Sequence, residues 1–301
     1  MKMIHVCAPG HPEATLDGFL LDCTITLGQE VNRPAVLVCP GGGYVYCSPR
    51  EGEPVALSYA ARGFHAFVLT YSIAEKAAGF APLEEVSWAI GYIRENAEQW
   101  HIDPQKIAVC GFSAGGHLAL ASGLLAENKP NAMILGYPAT SAPNLPGADF
   151  MLKILEGREA VTASDAEKYD LIPKISRDAP PVFIAATAED VLTGFSALAI
   201  ANAYKQLGRH YELHVFQYGP HGYSLANEVT ADGSSRMLEP AFAQWQELSV
   251  QWLHKTFGKP TFVDKSTSKM MQILKEKGYI QSNEETLAGH LSKELKGADF
   301  A

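Results

Sequence analysis

The sequence predicts an α/β fold: a doubly wound, mostly parallel sheet with helices on both faces. Short apolar runs recur along the middle of the chain, and longer helical patterns alternate with them. Most of the runs are unbroken rather than alternating in polarity, as parallel strands covered on both faces require. Alternating strand and helix units build such a sheet through right-handed crossovers.

Near the start, "HVCA" and "LLDCTITL" suggest an antiparallel pair. Strands then fall at 34–40 (PAVLVCP), 64–71 (FHAFVLTY), 106–110 (KIAVC), 132–138 (AMILGYP), 181–187 (PVFIAAT) and 211–216 (YELHVF). Helical patterns at 51–62, 82–100, 115–127, 195–207 and about 240–257 fill the intervals. The connection at 139–180 breaks the rhythm: it holds Pro143, Pro146, Pro173 and the short apolar pattern DFMLKILEG. Long connections in compact domains often serve as lids, so a small cap is expected there. Residues 1–258 read as one domain and 259–301 as a helical extension. Ser282 and Glu285 fit a capping box in that extension. Its apolar positions (Met270, Met271, Ile273, Leu274, Leu287, Leu291, Leu295) suit packing on the body or on a second copy, so a homo-oligomer is one expectation.

The chain has 301 residues, 47% of them hydrophobic, enough for a large core. Its formal charge is −9 with no Lys/Arg cluster, which argues against nucleic acid or an anionic membrane as partner. No stretch reaches the roughly 18 apolar residues of a membrane span, and the first residues lack an apolar signal region. The five cysteines are Cys7, Cys23, Cys39, Cys47 and Cys110, with no CxxC pair. They read as reduced thiols of a cytoplasmic protein, not as a disulfide framework or a metal site.

The stretch Gly111-Phe112-Ser113-Ala114-Gly115 follows one predicted strand and opens a predicted helix. That is the setting of a nucleophile elbow, G-x-S-x-G. The serine sits on a strained turn, and glycines stand where side chains two positions away would collide. The helix behind it aims N–H groups and a positive dipole end at the same place. A serine hydroxyl needs a base, and His221 in "GPHG", after the last strand, is placed to supply it. His117 lies one turn into the helix behind Ser113 and reads as a structural hydrogen-bonder. An acid must hold the histidine's tautomer. Asp190, after "PVFIAAT", is preferred, with Glu189 as the fallback. The order serine, acid, histidine differs from that of chymotrypsin or subtilisin. Gly41, Gly42 and Gly43, directly after the strand at 34–39, can present bare N–H groups to a developing negative charge, with the N–H of Ala114 as a further donor. A phosphate loop is disfavoured, because G-x-G-x-x-G is absent and no Lys-Ser/Thr follows.

Together these stretches resemble the α/β-hydrolase superfamily, and within it the acetyl-esterase and acetyl-xylan-esterase-like group near the hormone-sensitive-lipase-like and feruloyl-esterase-like branches. The resemblance spans about residues 34–225 and leaves the tail beyond 258 uncovered. Pro40 stands where lipase-like relatives carry histidine before three glycines. "DVLTGFS" lacks the proline that commonly follows the acid. Ser113 sets the chain apart from dienelactone-hydrolase relatives, which use cysteine. The resemblance implies a serine carboxylester hydrolase acting on short acyl esters, with acetylated sugars as leading substrates and no cofactor. Two other readings stay open: a prolyl-oligopeptidase-type peptidase, although the propeller of such enzymes is lacking, and a binding protein that keeps the fold without catalysis.

Overall fold

A computed structural model describes residues 1–23, 30–140, 148–258, 261–263 and 276–278. Residues 1–22 and 32–261 form one compact unit. The Ser282–Glu285 pair and the apolar positions of the expected C-terminal helices lie outside the described residues, as do Pro143 and Pro146.

The chain enters through β1 (Lys2–Ala8), turns at Gly10 with φ of 76°, and returns as β2 (His11–Leu20). The antiparallel pair therefore exists, with His11–Leu20 as its second strand, which meets the expected "LLDCTITL" only at Leu20; residues 24–27 of that stretch lie outside the described residues. Lys2 pairs with Leu20, and Thr15 to Phe19 also pair with β4 (His65–Thr70) on the other side. Asp17-Gly18 looks like a turn in sequence, yet it lies inside this strand. A Cβ at Gly18 would sit 2.5 Å from Ile4 and 2.8 Å from Phe67, so only glycine allows both neighbours to close on it.

The remaining strands are β3 (Glu30–Cys39), β5 (Ile102–Phe112), β6 (Ala132–Gly136), β7 (Val182–Thr187) and β8 (Tyr211–Phe216). The order across the sheet is β1-β2-β4-β3-β5-β6-β7-β8, parallel from β4 onward. Neighbouring residues on a strand enter opposite cores. Leu37, Val109, Leu135 and Ile184 pack toward α2 (Ala81–Glu95), α4 (Ala114–Leu125) and α7 (Gly194–Gln206). Val36, Val38, Ile134 and Phe183 pack toward α1 (Glu53–Ala60) and α8 (Pro240–Phe257). This is why the runs are apolar throughout.

The helical pattern at 82–100 divides into α2 and the short α3 (Ala97–Trp100). At the break, the side-chain amide of Asn96 donates to the carbonyl of Tyr92 and shares it with the ladder bond from Asn96's own N–H. Between β6 and β7 the chain forms α5 (Ala148–Glu156) and α6 (Ala163–Tyr169), the latter opened by a capping box of Thr162 and Asp165. Among the described residues, no helix is long and apolar enough to cross a membrane.

Parallel strands bring their C-terminal ends to one edge of the sheet. The segments after β3, β5, β6, β7 and β8 therefore meet there, and they carry the glycine run, Ser113, Tyr137, Asp190 and His221.

Candidate active site

β5 ends at Phe112 and α4 begins at Ala114, leaving Ser113 alone between them at φ 53° and ψ −118°. A non-glycine residue holds such a backbone only when its surroundings enforce it, at a cost of about 1–3 kcal/mol. The surroundings are tight. A Cβ at Gly111 would lie 2.0 Å from the carbonyl oxygen of Gly115, and one at Gly115 would lie 2.1 Å from that of Cys39. The Ser113 N–H donates to Gly136 (3.1 Å), and its carbonyl accepts the N–H groups of His117 (3.0 Å) and Ala139 (2.9 Å).

His221 reaches this point from the loop after β8. Its Nε2 lies 2.8 Å from Ser113 Oγ, and its Nδ1 lies 2.8 Å from Asp190 Oδ2. Its ring meets Tyr137 edge-on, with centroids 5.1 Å apart. Asp190 Oδ1 accepts the backbone N–H groups of Leu192 (2.9 Å) and Thr193 (3.1 Å), and its Oδ2 also accepts the Thr193 hydroxyl (2.6 Å). "DVLTG" thus folds back on its own carboxylate without the proline. Burial pushes the Asp190 carboxyl up, but hydrogen bonds to His221 and Thr193 and the charge of His221 outweigh it, leaving Asp190 below the ordinary carboxylate range. Glu189 turns elsewhere and accepts the Gly219 N–H at 3.0 Å.

The glycine run requires a correction. The N–H of Gly41 donates to Glu51 Oε2 at 2.8 Å, so it is committed and cannot also face an oxyanion. Among the described residues, the N–H groups of Gly42, Gly43 and Ala114 have no acceptor. Gly42 has φ of 129°, and a Cβ there would sit 2.0 Å from the carbonyl oxygen of Tyr46. His117 is a core group: Nδ1 meets the Tyr44 hydroxyl at 2.9 Å and Nε2 meets the Tyr169 carbonyl at 3.0 Å.

Four residues around the site were not singled out from sequence. Thr193 touches both Asp190 and His221. Arg50, Glu51 and Tyr137 tie the surrounding loops together. The only sequence signal was a polar Arg-Glu pair just past the glycine run and a tyrosine ending an apolar strand.

The strand order and the elbow at the end of β5 define the class, an α/β-hydrolase fold. The chain matches the family described as BD-FAE over residues 21–144. The crystal structure of MGS-M1, an alpha/beta hydrolase enzyme from a Medee basin deep-sea metagenome library, is 36% identical with a TM-score of 0.74, covering 86% of this chain and 99% of that one. Endo-1,4-beta-xylanase B of Butyrivibrio fibrisolvens is 32% identical over 224 residues, 69% of this chain and 35% of that protein. An acetylxylan esterase of Xylanibacter ruminicola is 26% identical over 206 residues, 66% of this chain and 43% of its own length. The chain thus spans less than half the length of these two curated relatives. It belongs to the α/β-hydrolase superfamily.

Proposed function

We propose that the chain is a serine carboxylester hydrolase for short acyl esters, with acetylated sugars as its leading substrates. The observation that carries this reading is the continuous chain from Ser113 Oγ to His221 to Asp190, with both links at 2.8 Å, built on a strained elbow. Ser113 Oγ attacks the ester carbonyl while His221 Nε2 takes its proton. The carbonyl electrons move onto oxygen, which the N–H groups of Gly42, Gly43 and Ala114 receive. As the tetrahedral intermediate collapses, His221 gives the proton to the departing alcohol. Water, deprotonated by the same imidazole, then releases the acid and restores Ser113. Asp190 holds the tautomer and offsets the charge on His221.

Support for a sugar alcohol comes from the surface beside the glycines. The Tyr46 ring lies against Gly42 and the Phe150 ring against Gly43, and both rings are more than half exposed. Exposed rings of this kind give a pyranose an apolar face to stack on. A neighbouring cavity of about 580 Å³ is walled mainly by apolar groups (Val45, Ala74, Phe150, Ile154), with Glu75, Lys153 and Arg158 at its edge as partners for hydroxyls. The segment 139–180, which carries Phe150, is read as the cap over this side. The acetylxylan esterase among the relatives points to the same substrate class.

A series of p-nitrophenyl esters from acetyl to dodecanoyl, followed by acetylated xylo-oligosaccharides, tests the proposal. Acetyl turnover should be fastest, and acetate should be released from the sugars. Faster turnover of the dodecanoyl ester at matched solubility would move the reading to a lipase.

A further inference from the structure

We propose that Glu51 is a positioning residue for ester cleavage: one buried carboxylate ties the glycine loop that receives the oxyanion to the loop that carries His221. The proposal rests on the esterase reading above and adds a residue that neither the elbow nor the triad includes.

Glu51 is 4% exposed, and each of its oxygens has a partner. Oε2 accepts the Gly41 N–H at 2.8 Å, and Oε1 accepts the Tyr137 hydroxyl at 2.5 Å. The Tyr137 oxygen in turn accepts the N–H of Ser224 at 2.8 Å, three residues past His221. The adjacent Arg50 holds the same loop from its other side. Its Nη2 donates to the Gly222 carbonyl (3.1 Å), and its own carbonyl accepts the Ser224 hydroxyl (2.6 Å).

The placement has a direct consequence for the glycines. A Cβ at Gly41 would lie 2.7 Å from Glu51 Oε2 and 3.0 Å from Ser113 Cβ, so the backbone threads between carboxylate and nucleophile. With the Gly41 N–H turned onto Glu51, the next peptides are free to aim their N–H groups away from it. Glu51 therefore sets which glycines can serve.

Both oxygens accept and neither donates, which is the pattern of an ionised carboxylate. Burial pushes the Glu51 carboxyl above its ordinary range, and the bonds from Tyr137 and Gly41 and the charges of His221 and Arg50 offset only part of that; the two accepted bonds are the mark of the charged form. The charged and titratable groups facing Glu51 are Arg50 beside it, Tyr71 after β4, Cys110 in β5, Tyr137 after β6 and His221 after β8, with Asp190 on the far side of His221. A negative Glu51 favours the imidazolium that forms when His221 takes the serine proton.

Glu51→Gln is the test. An amide keeps the shape but must turn an NH₂ onto either the Gly41 N–H or Tyr137. On p-nitrophenyl acetate, kcat should fall by about 10- to 100-fold with KM within about threefold, as for a group whose effect appears in the transition state. The acid limb of kcat/KM should move to lower pH by about half a unit, because removing a negative charge disfavours the imidazolium. Tyr137→Phe keeps the charge, so it should lower kcat without moving that limb. If Glu51→Gln does not fold, Glu51→Asp serves in its place: the charge stays but cannot reach both partners, so kcat should fall at least about fivefold with the limb unmoved. A folded Glu51→Gln within twofold of wild-type kcat, or a folded Glu51→Asp at wild-type kcat, overturns this proposal alone. A wild type that cleaves no ester, or a Ser113→Ala variant that still does, overturns the esterase reading and this proposal with it.

Discussion

His221 Nε2 stands 2.8 Å from Ser113 Oγ although 108 residues separate the two in the chain. Two parallel strands lie between β5 and β8 in the sheet, so the contact depends on loops that reach across their ends. Anything that moves either loop should register in kcat before it registers in stability.

The acid is the first case. Asp190 meets the imidazole, whereas Glu189 binds the backbone of Gly219. Asp190→Asn should lose at least about 10²-fold in kcat, because an amide can hold the wrong tautomer. Glu189→Gln should lose less than about tenfold, since its amide oxygen can still accept the Gly219 N–H. Steady-state kinetics of both variants on p-nitrophenyl acetate near pH 8 decide this, and a reversed ranking would move the acid to Glu189.

Gly42 and Gly43 should respond differently to alanine. At Gly42 the new methyl would meet the Tyr46 carbonyl at 2.0 Å, whereas at Gly43 the nearest atom is the Phe150 ring at 3.7 Å. Gly42→Ala must therefore shift the loop and its N–H, with a kcat loss of about 10²-fold or more, the scale of a lost oxyanion donor. Gly43→Ala, whose φ of 64° is strained but open, should lose markedly less. Equal kcat values for the two variants would show that the turn at Gly42 does not govern catalysis.

Buried histidines give the fold a pH dependence separate from catalysis. Burial lowers His117 to about 4, aided by the charge of Lys174 and opposed by its bond to the Tyr169 carbonyl. Between about pH 6.5 and pH 4 the unfolded chain takes up a proton at this site and the folded one does not. This contribution is therefore intact above that window and is lost as pH falls through it, by an amount on the order of 3 kcal/mol. His117→Gln can keep a bond to Tyr44 or Tyr169 and does not titrate. Urea unfolding from pH 7 to pH 4.5 should show wild type losing stability relative to the variant. Parallel curves would mean that His117 is not held neutral.

How much of this was readable in sequence depends on how local the physics is. The elbow was legible because its signature sits in five consecutive residues: Gly111 has no room for a methyl against Gly115, although the clash that fixes Gly115 comes from Cys39 on β3. Asp190 and His221 were legible because each follows a strand, and parallel strands end at one edge. Gly41 was misread because three adjacent glycines look alike. Which N–H turns inward is set by Glu51, ten residues on and marked by no motif. Tyr137 and Glu51 meet across 86 residues, a pairing that appears only once β6 and the glycine loop are in place. The second strand starts earlier than the sequence suggested: a glycine usually weakens a strand, and the need for Gly18 comes from Ile4 and Phe67 on neighbouring strands.

The triad geometry makes Ser113 the residue that carries the acyl group. The most direct measurement is kcat of purified, folded Ser113→Ala on p-nitrophenyl acetate, beside mass spectrometry of the wild type stopped during turnover. The variant should lose on the order of a millionfold in kcat. The wild type should gain the mass of one acetyl group, located on the peptide that contains Ser113. A folded variant that keeps a tenth of wild-type turnover, or an acetyl group on any other residue during turnover, would contradict that role for Ser113.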